Sequence, residues 1–102
     1  MRCILYCLVA VTALLDAVSA APTEDFAIHD GDTVGFFGDS ITAAGIYSRH
    51  IENYTLLRYP DRKVRFLNLG IGGDTAAGGL ARLQRDVFDQ NVTLLTVAFG
   101  VN

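Results

Sequence analysis

Three short runs of β-branched and aromatic residues, each followed closely by glycine or a polar turn, set the main constraint on how this chain can fold. The runs are Val34–Phe37, Val64–Leu69 and Val92–Phe99. Between them, two longer segments carry apolar residues at helical spacing and stop near Pro60 and Asn91. The pattern predicts the order β-α-β-α-β. Right-handed crossovers then place the three strands side by side in a parallel sheet that the helices cover.

The two helical segments differ in how clearly they are amphipathic. The first is predicted from Tyr47, Ile51 and Tyr54, which recur at helical spacing. In the second, apolar residues share one face and charged residues lie mostly on the others. The apolar face consists of Ala76, Leu80, Leu83 and Val87, and the charged residues are Arg82, Arg85, Asp86 and Asp89. We therefore expect the second helix to pack its apolar face on the sheet.

The amino-terminal segment Met1–Ala20 is typical of a secretory signal peptide. Arg2 supplies a basic start, Ile4–Leu15 an apolar core, and Val18–Ala20 a small-residue cleavage site. A membrane anchor is the alternative, but about 20 apolar residues are needed to cross a bilayer and Asp16 interrupts this run. We expect cleavage after the twentieth residue, a secreted or periplasmic protein, and no stable membrane insertion afterwards.

Composition and cysteine content exclude several other classes of protein. The chain is 51% hydrophobic and 19% charged with a net charge of −3, which argues against a disordered polymer and against a protein that coats nucleic acid. Both cysteines, Cys3 and Cys7, lie in the predicted signal peptide. Residues 21–102 therefore have no disulfide framework and no cysteine chemistry, and their stability must come from packing.

The three strand ends are the places where a site is expected, because open parallel sheets bind ligands beyond the carboxyl ends of their strands. At the first, Gly38-Asp39-Ser40 places a serine just before a helix. Such a hydroxyl can act as a nucleophile if a base takes its proton and N–H donors stabilise the oxyanion. The alternative is that Ser40 or Thr42 only caps the following helix.

The second and third strand ends carry glycine and asparagine. The segment Gly70–Thr75 exposes backbone N–H groups that can cradle an anion, or its glycines only allow close packing of strand and helix. It is not a dinucleotide fingerprint, since Thr75 stands where the third glycine belongs. At the third, Gly100-Val101-Asn102 offers a side-chain amide donor, although asparagine is also an ordinary turn residue.

Taken together and in this order, the three motifs resemble the first three sequence blocks of the SGNH hydrolases, also called the GDSL lipase/esterase superfamily. The resemblance covers about Asp30 to Asn102. It implies a three-layer α/β/α, flavodoxin-like fold with a parallel sheet, of which the β-α-β-α-β portion is present. Residues 21–102 are thus expected to be the amino-terminal part of such a domain.

The resemblance also implies a role for individual residues. Ser40 matches the family nucleophile, and its own N–H is one oxyanion donor. Gly73 matches the glycine whose N–H is the second donor, and Asn102 matches the asparagine whose amide is the third. Asp39 is interpreted as shaping the turn. The family uses no metal and no cofactor, and its reaction passes through an acyl-serine.

The general base is where this sequence departs from the family. The family histidine lies in Asp-x-x-His far downstream, whereas this chain contains only His29 and His50. Neither is preceded at the third position by aspartate, and we expect His50 to be an exposed surface residue. The family also continues with Asp after the asparagine of the third block. We therefore expect the domain to extend past Asn102 and the chain alone to be inactive.

Two functions remain open at this stage. The first is a secreted serine esterase that hydrolyses acetyl or short-chain acyl esters of small molecules, carbohydrates or lipids. The second is an exported, non-catalytic binding module that uses the same crevice for carbonyl or carboxylate ligands. Neither involves nucleic acid. They differ in whether Ser40 turns over an ester or only lines a binding site.

Overall fold

The computed structural model describes residues 25–102, and the predicted signal peptide lies outside this range. The elements follow in alternating order and confirm the predicted β-α-β-α-β arrangement. They are β1 (Thr33–Gly38), α1 (Ser40–Ala44), α2 (Ile46–Arg58), β2 (Arg65–Gly70), α3 (Ala76–Leu83), a π-helical segment (Gln84–Phe88) and β3 (Leu94–Ala98). Among these residues, no helix has the length and apolar character that a membrane span requires.

The sheet has β1 at its centre, with β2 on one side and β3 on the other, and all pairs are parallel. β1 is buried from Val34 to Gly38, as expected of a strand covered on both faces. At its carboxyl end, Gly38 pairs with Gly70 of β2 and with Ala98 of β3. The carboxyl ends of the three strands therefore meet along one edge of the sheet.

The helices cover opposite faces of the sheet, which confirms the three-layer α/β/α architecture. On one face, Val34 and Phe36 are buried and pack against Tyr47 and Ile51 of α2. Successive side chains along a strand point to opposite faces, so Phe37 lies on the other face. There it lines an apolar cavity together with residues of α3, and its ring meets that of Phe99 edge-on at 5.2 Å.

The first helical segment is divided in two by Gly45, a break that the periodicity does not reveal. Gly45 has a φ of 73° and donates its N–H to the carbonyl of Thr42 at 2.9 Å, so it ends α1. Glycine adopts this left-handed conformation without the steric cost that a side chain brings. The segment then continues as α2 and ends at Arg58, just before Pro60, as predicted.

The second helical segment contradicts part of the predicted face. Val87 is buried and Leu80 lines the apolar cavity on the Phe37 face, as expected, but Leu80 is still 73% exposed and Arg82 is only 9% exposed. The reason is close packing: Gly79 is buried against the ring of Phe99, so the turn of α3 nearest the sheet carries glycine rather than leucine. Arg82 lies on the same side, where backbone and carboxylate oxygens accept its hydrogen bonds. The charged side chain therefore replaces part of the expected apolar contact.

Candidate functional site

At the junction between β1 and α1, the Ser40 hydroxyl does not cap the helix. The cap of α1 is Asp39, whose Oδ1 accepts a hydrogen bond from the Ile41 N–H at 3.0 Å. Thr42 lies inside α1 and its hydroxyl pairs with the Tyr47 hydroxyl at 2.9 Å. The alternative, in which Ser40 or Thr42 caps the helix, is therefore wrong. Ser40 is exposed, and its side chain forms no hydrogen bond with any residue from 25 to 102.

Asp39 is itself enclosed at this junction. Its side chain is 1% exposed, and its second oxygen, Oδ2, is buried with no hydrogen-bond partner within residues 25–102. Because one oxygen holds the first turn of α1 and the other is surrounded by protein, the carboxylate fixes the direction in which the chain leaves β1. This geometry supports the interpretation that Asp39 shapes the turn.

The loop after β2 is attached to the end of β1 and carries an unused donor. The Ile71 N–H donates to the Gly38 carbonyl at 3.0 Å, and the Asp74 N–H donates to the Ile71 carbonyl at 3.2 Å. Between them, Gly73 has a φ of 74° and is exposed. In the described part of the chain, the Gly73 N–H donates to no acceptor. The loop therefore exposes the Gly73 N–H as a backbone donor without an acceptor within residues 25–102.

Close packing accounts for one glycine of this segment but not for the others. A β-carbon on Gly70 would lie 2.7 Å from the Cα of Ala43, so only glycine lets α1 approach β2 this closely. The same addition at Gly72 or Gly73 would meet no atom within 4 Å. The packing explanation thus applies to Gly70, and the two later glycines face open space.

Asn102 lies beside the same loop. Its side-chain Nδ2 donates to the carbonyl oxygen of Asp74 at 3.0 Å. An asparagine amide carries two N–H bonds, so the second remains for another acceptor. The residue is exposed and follows β3 by four positions. The structure therefore brings Asn102 next to the residue that follows Gly73.

Ser40, Gly73 and Asn102 all lie at the edge formed by the three strand carboxyl ends. Asn102 contacts the loop of Gly73 directly, and that loop is bonded to the residue two positions before Ser40. No hydrogen bond joins Ser40 to either of the other two residues in the described range. A hydroxyl next to N–H donors is the arrangement that acyl transfer uses, since the donors stabilise the oxyanion of a tetrahedral intermediate.

The space in front of Ser40 is open and largely apolar. Ser40 lines a depression of about 510 Å³ together with Ile41, Ala44, Ile46 and Tyr47. Ile41 and Ile46 are more than half exposed. Side chains of this kind suit a small apolar group and offer no charge to bind a phosphate or a metal ion. Residues 25–102 also contain no group of three metal-ligating side chains close enough to hold an ion.

A buried guanidinium below this edge is the main feature that the sequence did not reveal. Arg82 donates to Asp74 Oδ2 at 2.8 Å, to the Leu69 carbonyl at 2.9 Å and to the Gly38 carbonyl at 3.1 Å. It also pairs with Asp86 at 2.9 Å. The spacing of Arg82 and Asp86 was visible as an i, i+4 ion pair, but such pairs are usually solvent-exposed. Nothing local in the sequence distinguishes this buried arginine from a surface one.

The two arginines beside Asp86 stabilise its ionised carboxylate. Hydrogen bonds from Arg85 and then from Arg82 lower the pKa of Asp86 to about 2. Arg85 contacts Asp86 from the solvent side, because its side chain is 72% exposed whereas that of Arg82 is 9% exposed. Asp86 is therefore shared between one buried and one exposed guanidinium.

The two histidines lie away from Ser40. His29 precedes β1 and pairs with Asp25 and Asp32, each at 3.7 Å. A strand of six residues separates it from the serine edge, about 20 Å at the usual rise per residue. His50 is exposed on α2, as expected, and lines an apolar groove on that face of the sheet. Neither histidine bonds to Ser40, so residues 25–102 provide no histidine base for it.

Comparison with known proteins gives one family. Residues 34–102 match the family described as GDSL-like Lipase/Acylhydrolase. Among solved structures, BT4096, a gut microbial diltiazem-metabolizing enzyme, is 44% identical with a TM-score of 0.68. The acetylxylan esterase Axe2 from Geobacillus stearothermophilus is 27% identical with a TM-score of 0.71. LAE5, an α/β hydrolase from the metagenome of Lake Arreo, Spain, is 27% identical with a TM-score of 0.67. No curated protein matches the chain.

The chain covers only part of each of these structures. The similarity extends over 72% of this chain and 16% of BT4096. For Axe2 the shares are 76% of this chain and 42% of the esterase, and for LAE5 they are 72% and 41%. The chain therefore spans less than half the length of the solved structures that it resembles.

Proposed function

Because the chain belongs to the GDSL-like lipase/acylhydrolase family, we propose that the protein carrying it hydrolyses esters with Ser40 as the nucleophile. The observation that carries this proposal is the capping of α1 by Asp39, which leaves the Ser40 hydroxyl exposed and unbonded within the described residues. In this proposal the N–H groups of Ser40 and Gly73 and the amide of Asn102 stabilise the oxyanion.

The proposed reaction proceeds in two halves. The Ser40 hydroxyl oxygen attacks the ester carbonyl carbon, its proton passes to a base, and the carbonyl oxygen becomes an oxyanion among the N–H donors. The alcohol then leaves with a proton and an acyl-serine remains. Water attacks this second ester by the same route and releases the acid. The base is proposed to come from outside residues 25–102, and this chain alone is proposed to be inactive, because triad enzymes lose several orders of magnitude without their base.

The proposed substrates are acetyl or short-chain acyl esters, on carbohydrates, lipids or other small molecules. Two observations support this choice: the depression beside Ser40 is lined by Ile41, Ala44, Ile46 and Tyr47 and is largely apolar, and one similar structure is an acetylxylan esterase. From the predicted signal peptide, we also propose that the protein is secreted or periplasmic. The proposal includes no metal, no cofactor and no nucleic-acid partner.

A non-catalytic binding module remains the second candidate, because no histidine lies near Ser40 in residues 25–102. In that case the same donors would hold a carbonyl or carboxylate group without turnover. Such a protein would bind an acyl ligand equally well whether residue 40 is serine or alanine.

The deciding experiment compares variants of the complete protein on p-nitrophenyl acetate. We expect Ser40→Ala to remove the enzymatic rate and Asn102→Ala to lower kcat by about 10²-fold to 10³-fold, as loss of one oxyanion donor does. Asn53→Ala, at an exposed asparagine of α2, is the matched control and should keep the full rate. Hydrolysis that persists in Ser40→Ala would overturn the proposal, and ligand binding without any hydrolysis would favour the second candidate.

A further inference from the structure

The guanidinium of Arg82 is buried where the carboxyl ends of β1 and β2 meet the loop that follows β2. Two of its acceptors are main-chain carbonyls, those of Gly38 in β1 and Leu69 in β2. It also contacts two carboxylates, that of Asp86 at 2.9 Å and that of Asp74, which both Nε and Nη2 contact at 2.8 Å. The guanidinium also lies over the Phe37 ring, with its central carbon 4.4 Å from the ring centroid. One side chain therefore joins the ends of two strands to the loop between β2 and α3.

Asp74 connects Arg82 to two of the proposed oxyanion donors, the Gly73 N–H and the Asn102 side-chain amide. It directly follows Gly73 in the chain, so its position sets where the Gly73 N–H lies. Its carbonyl oxygen accepts the Asn102 amide at 3.0 Å. Its other carboxylate oxygen, Oδ1, accepts the Thr75 N–H at 2.9 Å and so fixes the turn into α3. Movement of Asp74 would therefore displace the Gly73 N–H and the Asn102 amide together.

We propose that Arg82 is a positioning residue, which through Asp74 holds the Gly73 N–H and the Asn102 amide where they serve as oxyanion donors. The inference rests on the proposed ester hydrolysis, although the geometric part can be tested without it. Arg82 touches no substrate in this proposal. It acts because a guanidinium presents several N–H donors in a rigid fork, which can satisfy two carbonyls and two carboxylates at once.

The first test separates this role from a general effect on folding. In the complete protein, Arg82→Gln and Asp74→Asn should each lower kcat on p-nitrophenyl acetate by about 10-fold to 100-fold with little change in KM, because oxyanion donors act in the transition state. The double variant should be hardly slower than Arg82→Gln alone, since that variant already removes the contact between Arg82 and Asp74. Arg85→Gln is the matched control: it lies on the same helical segment and contacts Asp86 but not Asp74.

The second test does not depend on activity. In ¹⁵N-labelled protein, the Gly73 backbone amide and the Asn102 side-chain amide should shift and exchange faster in Arg82→Gln and Asp74→Asn, and stay unchanged in Arg85→Gln. Unchanged amides and an unchanged kcat in a folded Arg82→Gln would overturn the inference. If that variant does not fold, Asp74→Asn decides by the same two measurements. If the wild-type protein shows no hydrolysis, the proposed function fails, and the amide signals still confirm or refute the positioning role.

Discussion

Replacing Gly70 by alanine tests whether close contact between β2 and α1 determines where the nucleophile lies. The added methyl group would lie closest to the Ala43 backbone nitrogen and 2.7 Å from both the Ala43 Cα and the Thr42 carbonyl carbon, whereas ordinary contact begins at 3.4 Å. Because these are main-chain atoms, α1 must move away by at least about 0.7 Å. Ser40 is the first residue of α1 and would move with it.

The expected result has two parts. Overpacking of this kind destabilises proteins by about 1–3 kcal/mol, which urea denaturation can measure. A misplacement approaching 1 Å should also lower kcat by at least about tenfold, since an error of about 1 Å can cost 10²-fold. Gly72→Ala is the matched control, because its new methyl group meets no atom within 4 Å and its φ is not positive. Equal stability and equal rates for Gly70→Ala and Gly72→Ala would refute the reasoning.

Two further predictions concern the carboxylates near the site. Asp39→Ala removes the cap of α1 and should destabilise the protein by about 1 kcal/mol, whereas Asp39→Asn keeps an oxygen for the Ile41 N–H and should retain most of that stability in urea denaturation. Asp86 has a pKa of about 2 in the folded chain, below its ordinary 3.8, so its stabilising effect is complete above about pH 5 and is lost as the pH falls towards 2. Over this pH range the free energy of unfolding of the wild-type protein should fall by about 1–2 kcal/mol because of Asp86, and Asp86→Asn should lack this decrease. If the free energy of unfolding depended on pH in the same way in both proteins, the assignment would be contradicted.

The order of elements could be predicted from the sequence because it depends on local patterns. Runs of β-branched residues and helical spacing are properties of neighbouring positions, and Pro60 cannot continue a helix that precedes it, because its ring clashes with the preceding turn and it has no N–H. The sequence also predicted that the three motifs meet at one edge of the sheet, because the carboxyl ends of parallel strands lie at the same edge. The break at Gly45 was missed because a single glycine inside a helical pattern is often tolerated.

The role of Arg82 could not be predicted, since it depends on contacts that are distant in the sequence. Its acceptors at Gly38 and Leu69 lie 44 and 13 positions away, and become neighbours only when β1 and β2 pair. Periodicity alone assigned Arg82 to a charged face and Leu80 to the apolar one. The assignment of Arg82 was wrong because burial of an arginine depends on available oxygen acceptors, which hydrophobic spacing does not register. Leu80 does lie on the apolar side, where it lines the cavity with Phe37.

Because β1 lies at the centre of the sheet, substitutions in β1 affect the site differently from substitutions in β2 or β3. β2 and β3 each bond to β1 and not to one another. A substitution in one outer strand therefore shifts mainly one donor relative to the serine, while the Asn102–Asp74 bond limits how far the two can drift apart. A substitution in β1 alters both distances at once. Substitutions that adjust one donor at a time would thus fall in the two outer strands, whereas the middle strand would stay nearly constant.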